Sequence, residues 1–502
     1  MSFRCRLSVL MIAAGLAAPT AASAQLPKAS EDPFYAVPAN IASLSPGAVI
    51  RSRTVQTNVS LFGGAAADSE QIFFRTTDSS GRPTATAATL LEPAKPPTGP
   101  RPLVLYSPAY DSLSLDCSPS RTLQEFGVGL ATVIEGPVYG MLLRQGWNVL
   151  VVDYEGLEAQ WTAAPLAGQS VLDGARAITR ARKAGMSPDT PVTAMGTSGG
   201  AIPTMWSSIL RAEYAPDVNL VGVAASDLPA RLIEVLPRID GSPFFGALIG
   251  VFIGTDRAFP ELGLQALLND HGKDVVATAA ADGYGCGGVV TSQPLGKTSD
   301  YFKLPDGKAL AALLQVQKAF AHGDVTLAPP MSAPAFLFHE VGDQLAFVEQ
   351  ADHAVAAQCA KGARIQYVRD RLGEHAIGGL RYVVPAIDYL DDRFAGRPAP
   401  STCPPRNTTA LPTPPSTTTR KATLKVLGRT YAGRRMTVRF RARTATGRAL
   451  SGATIRFGGR QTRTNQKGVA AITVARSTKA RTARLLLRGK TIATARVAGR
   501  SA

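Results

Sequence analysis

With 502 residues, the chain is too long for one ordinary hydrophobic core, and two folded units are expected. Its net charge of +17 is distributed unevenly: from Arg420 onward there are 22 Lys and Arg residues and no Asp or Glu, which leaves 32 basic and 37 acidic residues, a net of −5, before that point. The composition therefore excludes a uniformly basic protein and assigns the excess positive charge to a C-terminal segment.

Residues 1–24 have the pattern of a secretory signal peptide. Two arginines precede an apolar run over residues 7–18, and Ala22-Ser23-Ala24 offers the small side chains of a cleavage site. The apolar run is short for a membrane span, and no later stretch of the sequence is both long enough and apolar enough to be one. We therefore expect a protein that is exported to the outside of the cell.

Strands alternate with helices through most of residues 25–397. The apolar runs over residues 101–106 and 148–153 have the length of buried central strands, and residues 170–183 keep one helix face apolar. This alternation predicts a mainly parallel sheet with helices on both faces. The other predicted elements are antiparallel strands at 49–59 and 71–91, strands at 192–195, 220–225, 335–341 and 364–368, and a helix at 380–394.

A Gly-rich turn joins one of these strands to a helical run. It reads Gly196-Thr197-Ser198-Gly199-Gly200, and its spacing is typical of the nucleophile elbow of an α/β-hydrolase. A serine on so sharp a turn can project its Oγ from the sheet only if its neighbours are small. The following helix directs free N–H groups and the positive end of its dipole toward the place where an oxyanion would form. An ordinary Gly-rich turn is the alternative.

The alternation is interrupted between about residues 229 and 331. The first part of this insertion, residues 242–254, is strongly apolar and contains several glycines. Its place in the chain predicts a helical cap or lid that covers the active site and offers an apolar lining to an acyl chain. The alternative is an ordinary pair of buried helices.

The serine needs a base, and a carboxylate that fixes the tautomer of that base. In α/β-hydrolases the acid and then the histidine follow the serine along the chain. Asp343 lies just past a predicted strand, and His375 lies in a predicted loop after the next strand, so we assign them as acid and base. His353 falls in the middle of a predicted helix, His339 is expected to be a core histidine, and Asp370 is the rival acid.

An oxyanion hole requires two N–H donors. The fold supplies one from the residue after the nucleophile, Gly199, and one from the loop after the third strand, residues 107–112. That loop lacks the run of a histidine and three glycines found in many lipases, and we choose Asp111 as the second donor.

Five cysteines are present, and Cys5 is removed with the signal peptide. The other four, an even number in an oxidising compartment, predict two disulfides, for which the sequence alone allows three pairings. No CxxC sequence and no histidine at ligand spacing accompany them, so a metal site is disfavoured. The four are Cys117, Cys286, Cys359 and Cys403.

The C-terminal region differs in composition from the body. Residues 398–420 are rich in Pro, Thr and Ser, which predicts an extended linker. Residues 421–502 contain short alternating runs separated by Gly-containing turns, the pattern of a small β-sandwich. Residues 447–455 and 465–468 resemble the repeats of bacterial immunoglobulin-like modules. This basic module is expected either to attach to an anionic cell-surface polymer or to act as a solvated spacer.

Several motifs between residues 32 and 396 together resemble the secretory lipase family, typified by Candida antarctica lipase A. Met195 and residues 107–109 depart from the pattern of the fungal enzymes, and the basic module lies outside the resemblance. The motifs are Asp32-Pro33-Phe34-Tyr35 with Pro46-Gly47, Tyr110-Asp111-Ser112, Asp116-Cys117-Ser118-Pro119-Ser120, Asp153-Tyr154-Glu155-Gly156, Gly196 to Gly200, Gln358-Cys359-Ala360-Lys361-Gly362-Ala363 and Glu374-His375.

The resemblance implies an α/β-hydrolase with a helical cap that hydrolyses esters without a metal or cofactor. The site residues that it implies are Ser198, Asp343 and His375 as a catalytic triad and the backbone N–H groups of Asp111 and Gly199 as an oxyanion hole. The disulfides that it implies are Cys117 to Cys286 and Cys359 to Cys403.

Together these features predict a secreted serine carboxylic ester hydrolase, and among such enzymes a triacylglycerol lipase, acting through an acyl-enzyme on Ser198. The alternatives within the fold are a short-chain or acetyl esterase and a peptidase. The non-enzymatic alternative is a surface-binding protein that uses the basic module. The expected partners are an ester or acylglycerol substrate, a lipid interface and an anionic cell-surface polymer, and no specific nucleic acid is expected.

Overall fold

The structure is a computed structural model with two compact units, Met1–Pro405 and Arg406–Ala502. The boundary between the units falls inside the segment predicted as a linker. The predicted signal peptide and linker residues 405–420 lie outside the described residues. The structure describes residues 26–62, 68–95, 101–125, 130–282, 286, 296–305, 308–404, 422–432, 435–443, 449–487 and 490–498.

A nine-stranded sheet of order β1-β2-β3-β5-β4-β6-β7-β8-β9 forms the centre of the first unit. β1, β2, β3 and β5 pair antiparallel in that order, whereas the pairs from β5 to β9 are parallel. The parallel part places the carboxyl ends of β4, β6, β8 and β9 at one edge, where the loops carry the predicted site residues. The strands are β1 Val49–Gln56, β2 Asp68–Thr77, β3 Pro83–Leu91, β4 Leu103–Ser107, β5 Asn148–Val152, β6 Val192–Thr197, β7 Leu220–Ser226, β8 Ala335–Glu340 and β9 Ile365–Asp370.

Side chains of the central strands alternate between two cores. Along β4, Leu103 and Leu105 belong to the core on one face of the sheet, whereas Val104 and Tyr106 belong to the core on the other face. All four are at most 1% exposed. A strand that is buried on both faces has no polar side, which explains the continuous apolar run over residues 101–106.

Helices cover both faces of the sheet. The helix predicted at 380–394 is in fact two helices, His375–Arg381 and Val383–Phe394. They are separate because Pro385 has no N–H to donate to the carbonyl of Arg381, four residues earlier, and its ring would clash with that carbonyl. Among the described helices, none combines the length and the apolar character that a membrane span requires. The other α-helices of the body are Pro119–Thr122, Leu130–Arg144, Ala164–Arg180, Ala201–Tyr214 and Val348–Lys361.

The segment between β7 and β8 is a helical cap with a core of its own. In the helix Phe245–Ala258 only Asp256 and Arg257 are not buried. A helix that is apolar on every side must be covered on every side, and this one is enclosed by other parts of the cap and by the body. The α-helices of the cap are Leu232–Ile239, Phe245–Ala258, Asp270–Asp282, Thr298–Tyr301 and Leu314–Ala321.

Two disulfides connect distant parts of the first unit. Cys117 is bonded to Cys286, and Cys359 is bonded to Cys403. These are the pairs that the family resemblance implied. Next to the second disulfide, the backbone N–H of Thr402 donates to the carbonyl of Ile365 in β9 at 2.8 Å. The first residues of the segment predicted as a linker are therefore packed on the body.

The second unit consists of two β-sheets, a three-stranded sheet of order β10-β11-β14 and a four-stranded sheet of order β13-β12-β15-β16. Inward side chains of both sheets, such as Phe440 and Phe457, form one buried core. The unit is all β, as the alternation of its residues predicted, and its immunoglobulin-like class stays a prediction. The strands are β10 Thr423–Ala432, β11 Arg435–Arg443, β12 Thr454–Phe457, β13 Arg460–Arg463, β14 Val469–Ala475, β15 Arg481–Leu487 and β16 Lys490–Val497.

Candidate active site

Ser198 lies at the turn between β6 and the helix that follows it. Its φ is +51°, in the left-handed region that costs a non-glycine residue about 1–3 kcal/mol. The turn passes so close to the loop after β4 that a Cβ on Gly199 would lie 1.7 Å from Oδ1 of Asp111. A side chain is therefore excluded at this position, and the turn has the strained geometry of a nucleophile elbow.

The three predicted catalytic side chains form one hydrogen-bonded chain. Ser198 Oγ lies 2.8 Å from Nε2 of His375, and Nδ1 of His375 lies 2.8 Å from Oδ2 of Asp343. The loops after β6, β8 and β9 bring these residues together at the carboxyl edge of the sheet. These contacts are the ones that a nucleophile, its base and an orienting acid require.

His375 is the first residue of the helix His375–Arg381, and the prediction of a loop position was wrong. The loop is short because β9 continues to Asp370, beyond its predicted end at residue 368. Burial lowers the pKa of His375, but the hydrogen bond to Asp343 and the charge of that carboxylate outweigh it, so that the pKa is raised. The imidazolium form, which arises when the ring takes a proton, is thereby stabilised.

Asp343 is buried and held by the backbone. Its Oδ1 accepts hydrogen bonds from the N–H groups of Leu345 and Ala346 at 2.8 and 2.7 Å. Burial raises the pKa of this carboxyl group, but the hydrogen bond to His375 and the positive charge of the ring outweigh burial, so that the pKa is lowered. Asp343 therefore stays ionised and keeps the proton of His375 on Nδ1.

His339, predicted to be a core histidine, is fully buried and also approaches the acid. Its Nε2 lies 3.5 Å from Oδ2 of Asp343 and is hydrogen-bonded to the carbonyl oxygen of Ala346. Burial lowers the pKa of His339, so its ring is neutral. His339, Asp343 and Asp227 bring possible ligand atoms within 4.8 Å of one another. Because both oxygens of Asp343 already accept hydrogen bonds, this cluster is not a free set of metal ligands.

The rival residues have other partners. His353 is exposed, and its Nδ1 lies 3.3 Å from Oε2 of Glu234. Asp370 forms an ion pair with Arg381, with 2.6 Å between Oδ2 and Nε. Since Asp343 occupies Nδ1 of the histidine, neither residue takes part in the hydrogen-bonded chain.

The loop after β4 places Asp111 opposite the nucleophile. Its φ is +38°, and its Oδ1 accepts a hydrogen bond from Nε1 of Trp161 at 2.9 Å. Burial raises the pKa of Asp111 to about 6, against the opposing effects of the Trp161 hydrogen bond and the charge of His375. Both predicted oxyanion residues, Asp111 and Gly199, line the same cavity as the serine. Trp161 was not among the predicted site residues.

Buried polar groups fix the position of the loop after β4. Oε1 of Glu135 accepts a hydrogen bond from the N–H of Ala109 at 3.0 Å, and its Oε2 accepts one from the hydroxyl of Tyr106 at 2.6 Å. The hydroxyl of Tyr154 donates to the carbonyl of Pro108 at 2.8 Å. Tyr154 belongs to a motif that supported the family resemblance without an assigned role. Its hydrogen bond to Pro108 helps to hold in place the loop that we predict to carry an oxyanion donor.

A cavity extends from the serine toward the cap. Ser198, His375, Asp111 and Gly199 form its polar end. It holds about 50 Å³ of space for solvent, which is room for a few water molecules. Its apolar lining comes from the cap, the helix after the nucleophile and the loop after β8, namely Ile202, Pro229, Leu232, Val235, Leu236, Ile239, Ala247, Val251, Leu345 and Ala346.

Comparison with known proteins identifies the family of the chain. The sequence model of the family described as "Secretory lipase" matches residues 124–402. "Lipase A" of Moesziomyces aphidis is 31% identical over 401 residues, which cover 76% of this chain and 85% of that protein. The chain belongs to the secretory lipase family. The fold of the chain also matches a solved structure, that of Candida antarctica lipase A in its closed state, with a TM-score of 0.69, 28% identity and coverage of 76% of this chain and 89% of that chain.

Membership of the secretory lipase family does not by itself establish activity. A relative named "Probable inactive lipase MT1628" of Mycobacterium tuberculosis (strain CDC 1551 / Oshkosh) is 30% identical over 389 residues, which cover 74% of this chain and 83% of that protein. The side chains must therefore be judged individually. In this chain, the predicted serine, histidine and aspartate are all present and hydrogen-bonded.

Beside Asp343, at the same edge of the sheet, the chain buries two further carboxyl groups that we did not single out from the sequence. Asp227 and Glu340 are fully buried, and the backbone N–H of Glu340 lies 3.5 Å from Oδ1 of Asp227. Burial, followed by the hydrogen bond and the charge repulsion of the Glu340 carboxyl group, raises the pKa of Asp227 well above its ordinary value. Asp227 is therefore protonated at neutral pH. Its position directly after β7, at the edge that carries the triad, is the sequence signal that could have found it.

Proposed function

We propose that this chain is a secreted serine hydrolase of carboxylic esters, and specifically a triacylglycerol lipase. The observation that carries the proposal is the chain from Ser198 through His375 to Asp343, with 2.8 Å at each hydrogen bond, at the polar end of an apolar cavity. Serine is a weak nucleophile at neutral pH and becomes reactive when a base takes its proton. The apolar lining is suited to the acyl part of an ester.

In the proposed reaction, Oγ of Ser198 attacks the ester carbonyl carbon while Nε2 of His375 takes the hydroxyl proton. The carbonyl oxygen becomes an oxyanion that accepts hydrogen bonds from the N–H groups of Gly199 and Asp111. The bond to the alcohol oxygen then breaks, and His375 returns the proton to that oxygen. Water adds to the acyl-enzyme by the same route, which releases the carboxylic acid and restores Ser198.

The size of the cavity supports a second candidate, an esterase of short acyl chains. About 50 Å³ of solvent space suits an acetyl group but not a long chain. The lipase proposal therefore requires the cap to move, because cap side chains such as Leu236, Ala247 and Val251 line and bound this cavity. The two candidates differ in acyl length and share the chemistry.

Labelling with a fluorophosphonate probe tests the nucleophile. We expect the wild-type protein to be labelled and Ser198→Ala to lose the label, because the probe bonds covalently to an activated serine oxygen. Ser80→Ala, which alters an exposed turn, is the matched control and should be labelled like the wild type. Undiminished labelling of Ser198→Ala would defeat the proposal.

Acyl specificity is tested with p-nitrophenyl esters from acetate to palmitate beside an emulsified triglyceride. A triacylglycerol lipase should hydrolyse the palmitate ester and the emulsion. A preference confined to acetate would reject the lipase assignment and leave the short-chain esterase, and cleavage of peptide amides alone would indicate a peptidase. In each case Ser198→Ala serves as the inactive reference.

We also propose that the chain is exported and that residues 1–24 are removed. The name of the family and the disulfides, which persist in oxidising compartments, support this. Expression with the native N-terminus should deliver to the culture medium a protein that begins at Gln25, as determined by N-terminal sequencing. A protein that stays in the cell with residue 1 in place would contradict export.

A further inference from the structure

The second unit carries a charge pattern that ester hydrolysis does not use. From Arg420 onward the chain has 22 Lys and Arg residues and no Asp or Glu, so ion pairs between side chains of this unit cannot form. A small domain needs a net charge of only about 2–8 to stay soluble. Positive charge in this excess destabilises the folded state of the unit, because the like charges repel one another. Bound anions would remove that repulsion.

The three-stranded sheet presents a row of arginines on its outer face. In β11 the alternate residues point into the core, as Val438 and Phe440 do. Residues two apart on a strand and on the same face are separated by about 7 Å. The cross-strand neighbours on β14 include Ala471 and Ala475, which are too small to cover the guanidinium groups. The row consists of Arg435, Arg439, Arg441 and Arg443.

Each sheet also places two cations directly opposite each other. Lys425 lies opposite Arg441 across β10 and β11, and Arg456 lies opposite Arg484 across β12 and β15. None of the four is buried. The Cβ atoms of such pairs are about 4.5–5.5 Å apart, and like charges in this position are destabilising. An anionic group between the two cations would remove the repulsion and accept charge-assisted hydrogen bonds from both.

We propose that the second unit binds a linear phosphodiester polymer of the cell envelope, of the poly(glycerol phosphate) type, through both of its sheets. Guanidinium groups match phosphate geometry and bind it with two parallel hydrogen bonds. Repeating phosphates along a chain can occupy the arginine row and both like-charge pairs. This inference concerns a different unit from the hydrolysis site and does not depend on the proposed hydrolysis, but it rests on the proposed export, because only an exported chain reaches a polymer of the cell envelope.

A polymer suits this surface better than a lipid bilayer or a nucleic acid does. The two like-charge pairs lie on the outer faces of different sheets, which a plane cannot contact at once but a flexible chain can. Among the described residues of this unit, Leu427 is the one large hydrophobic side chain that is exposed, at 36%, so little is available for insertion into lipid. Phe440 and Phe457 are buried and cannot stack on bases.

The test measures binding of the full-length protein to immobilised poly(glycerol phosphate) over a series of salt concentrations. The two variants are Lys425→Gln/Arg441→Gln on one sheet and Arg456→Gln/Arg484→Gln on the other. Each variant should bind the polymer more weakly. Each should also reduce the slope of log affinity against log salt concentration, by about 0.7 for each phosphate that the variant no longer neutralises. The combined variant should show the sum of both changes.

The matched control is Lys28→Gln/Lys318→Gln, which removes two exposed cations from the first unit and should bind the polymer like the wild type. Hydrolysis of a soluble p-nitrophenyl ester at the wild-type rate shows that the first unit of every variant is folded, and an unchanged thermal unfolding transition of the second unit, followed by circular dichroism, shows the same for the unit that carries the substitutions. Because these readouts are separate from binding, a failure of the inference can be distinguished from a failure of the proposed function.

Four results would overturn the proposal. The first is absent or salt-independent binding to poly(glycerol phosphate), and the second is equal affinity for polyglutamate, which offers carboxylates in place of phosphates. The third is tighter binding to phosphatidylglycerol vesicles with loss in only one of the two double variants, as a planar lipid surface would give. The fourth is tighter binding to single-stranded DNA of the same phosphate number.

Discussion

Carboxyl groups around the catalytic serine differ in protonation because their partners differ. Burial raises the pKa of Asp111 to about 6 and the pKa of Glu135 and Asp153 to about 7. Asp343 is buried as well, but the imidazole of His375 and two backbone N–H groups lower its pKa. At neutral pH Asp343 is therefore charged, while Glu135 and Asp153 keep a proton in a substantial fraction of molecules. Carboxyl groups with a raised pKa lower the free energy of unfolding as pH rises from about 4, where the unfolded groups titrate, to about 7.

Asp227→Asn tests this sensitivity. Asp227 keeps its proton well above neutral pH when folded but loses it near pH ~3.9 when unfolded. Between these values the folded state binds more protons, so the free energy of unfolding falls as pH rises, by up to about 1.4 kcal/mol per pH unit. Asparagine has no proton to lose. Urea unfolding from about pH 5 to about pH 9 should therefore show a shallower decline in the variant.

Asp217→Asn is the matched control, because folding lowers the pKa of Asp217 whereas it raises the pKa of Asp227. Burial opposes the shift, but the hydrogen bonds and charges of Arg176 and Arg180 lower the pKa of Asp217 to about 2. Its contribution to stability is present above the unfolded pKa and is lost only as pH falls toward 2. Asp217→Asn should therefore lower stability by a constant amount across the same pH series. A wild-type slope in Asp227→Asn would contradict the protonation assigned to Asp227.

At the scale of elements, one cap helix reaches the oxyanion loop through Trp161. The helix Phe245–Ala258 packs so closely on the backbone of Trp161 that a Cβ on Gly254 would lie 2.3 Å from its carbonyl oxygen. The indole N–H of the same tryptophan donates to Asp111. The position of the cap and the orientation of the oxyanion residue are therefore physically connected. A cap that moves would also move a neighbour of the catalytic machinery.

Trp161→Phe removes the N–H and keeps most of the apolar contact. We expect kcat to fall by about tenfold to a hundredfold, less than the loss of a whole oxyanion donor, because Asp111 keeps its place in the chain but loses its fixed orientation. KM should change less than kcat. Steady-state kinetics with a soluble p-nitrophenyl ester measure both.

Trp147→Phe is the control for that substitution. Trp147 is buried against Phe394 in the core on the other face of the sheet, so kcat should remain that of the wild type. Equal kcat in Trp161→Phe and Trp147→Phe, with equal Tm, would show that Trp161 does not position Asp111.

At the scale of the whole molecule, the disulfides constrain parts of the chain that are far apart in sequence. Cys117 and Cys286 are separated by 169 residues and join the region after the oxyanion loop to the cap. Cys359 and Cys403 are separated by 44 residues and tie the end of the first unit to the helix before β9. Cross-links of this kind stabilise mainly by restricting the unfolded chain.

Cys359→Ser/Cys403→Ser should lower the free energy of unfolding by about 4 kcal/mol, the chain-entropy value for a loop of that length. Ester hydrolysis at room temperature should be retained, because the disulfide does not contact the triad. Thermal unfolding with a parallel activity assay measures both, and wild-type protein treated with a reductant is the control. A variant as stable as the oxidised wild type would contradict a stabilising role.

Much of the fold and site could be predicted because the relevant signals are local. Ser198 lies between glycines, and Asp343 and His375 come soon after apolar strands, so strand order alone brings them to one edge of the sheet. The prediction that His375 lies in a loop was wrong, because β9 is longer than predicted and the next helix begins at His375. The length of a strand depends on the strands beside it, which the local sequence does not show. Trp161 carries no local signal of its contact with Asp111, which lies far away in the chain. Asp227 has a local signal, its place directly after β7, but its protonation depends on Glu340, which the chain brings near it only in the folded state.

The sequence by itself determined the nucleophile turn, the order of serine, acid and base, the alternating body and the confinement of positive charge to the C-terminal unit. These properties follow from spacing and composition within short stretches. From the residues alone three cysteine pairings stayed open, and the tertiary structure decided between them. It also decided the contact of Trp161 with Asp111, the protonated Asp227 beside Glu340, and the pairs of like charges on the second unit. Each of these joins segments whose meeting depends on which faces pack together in space.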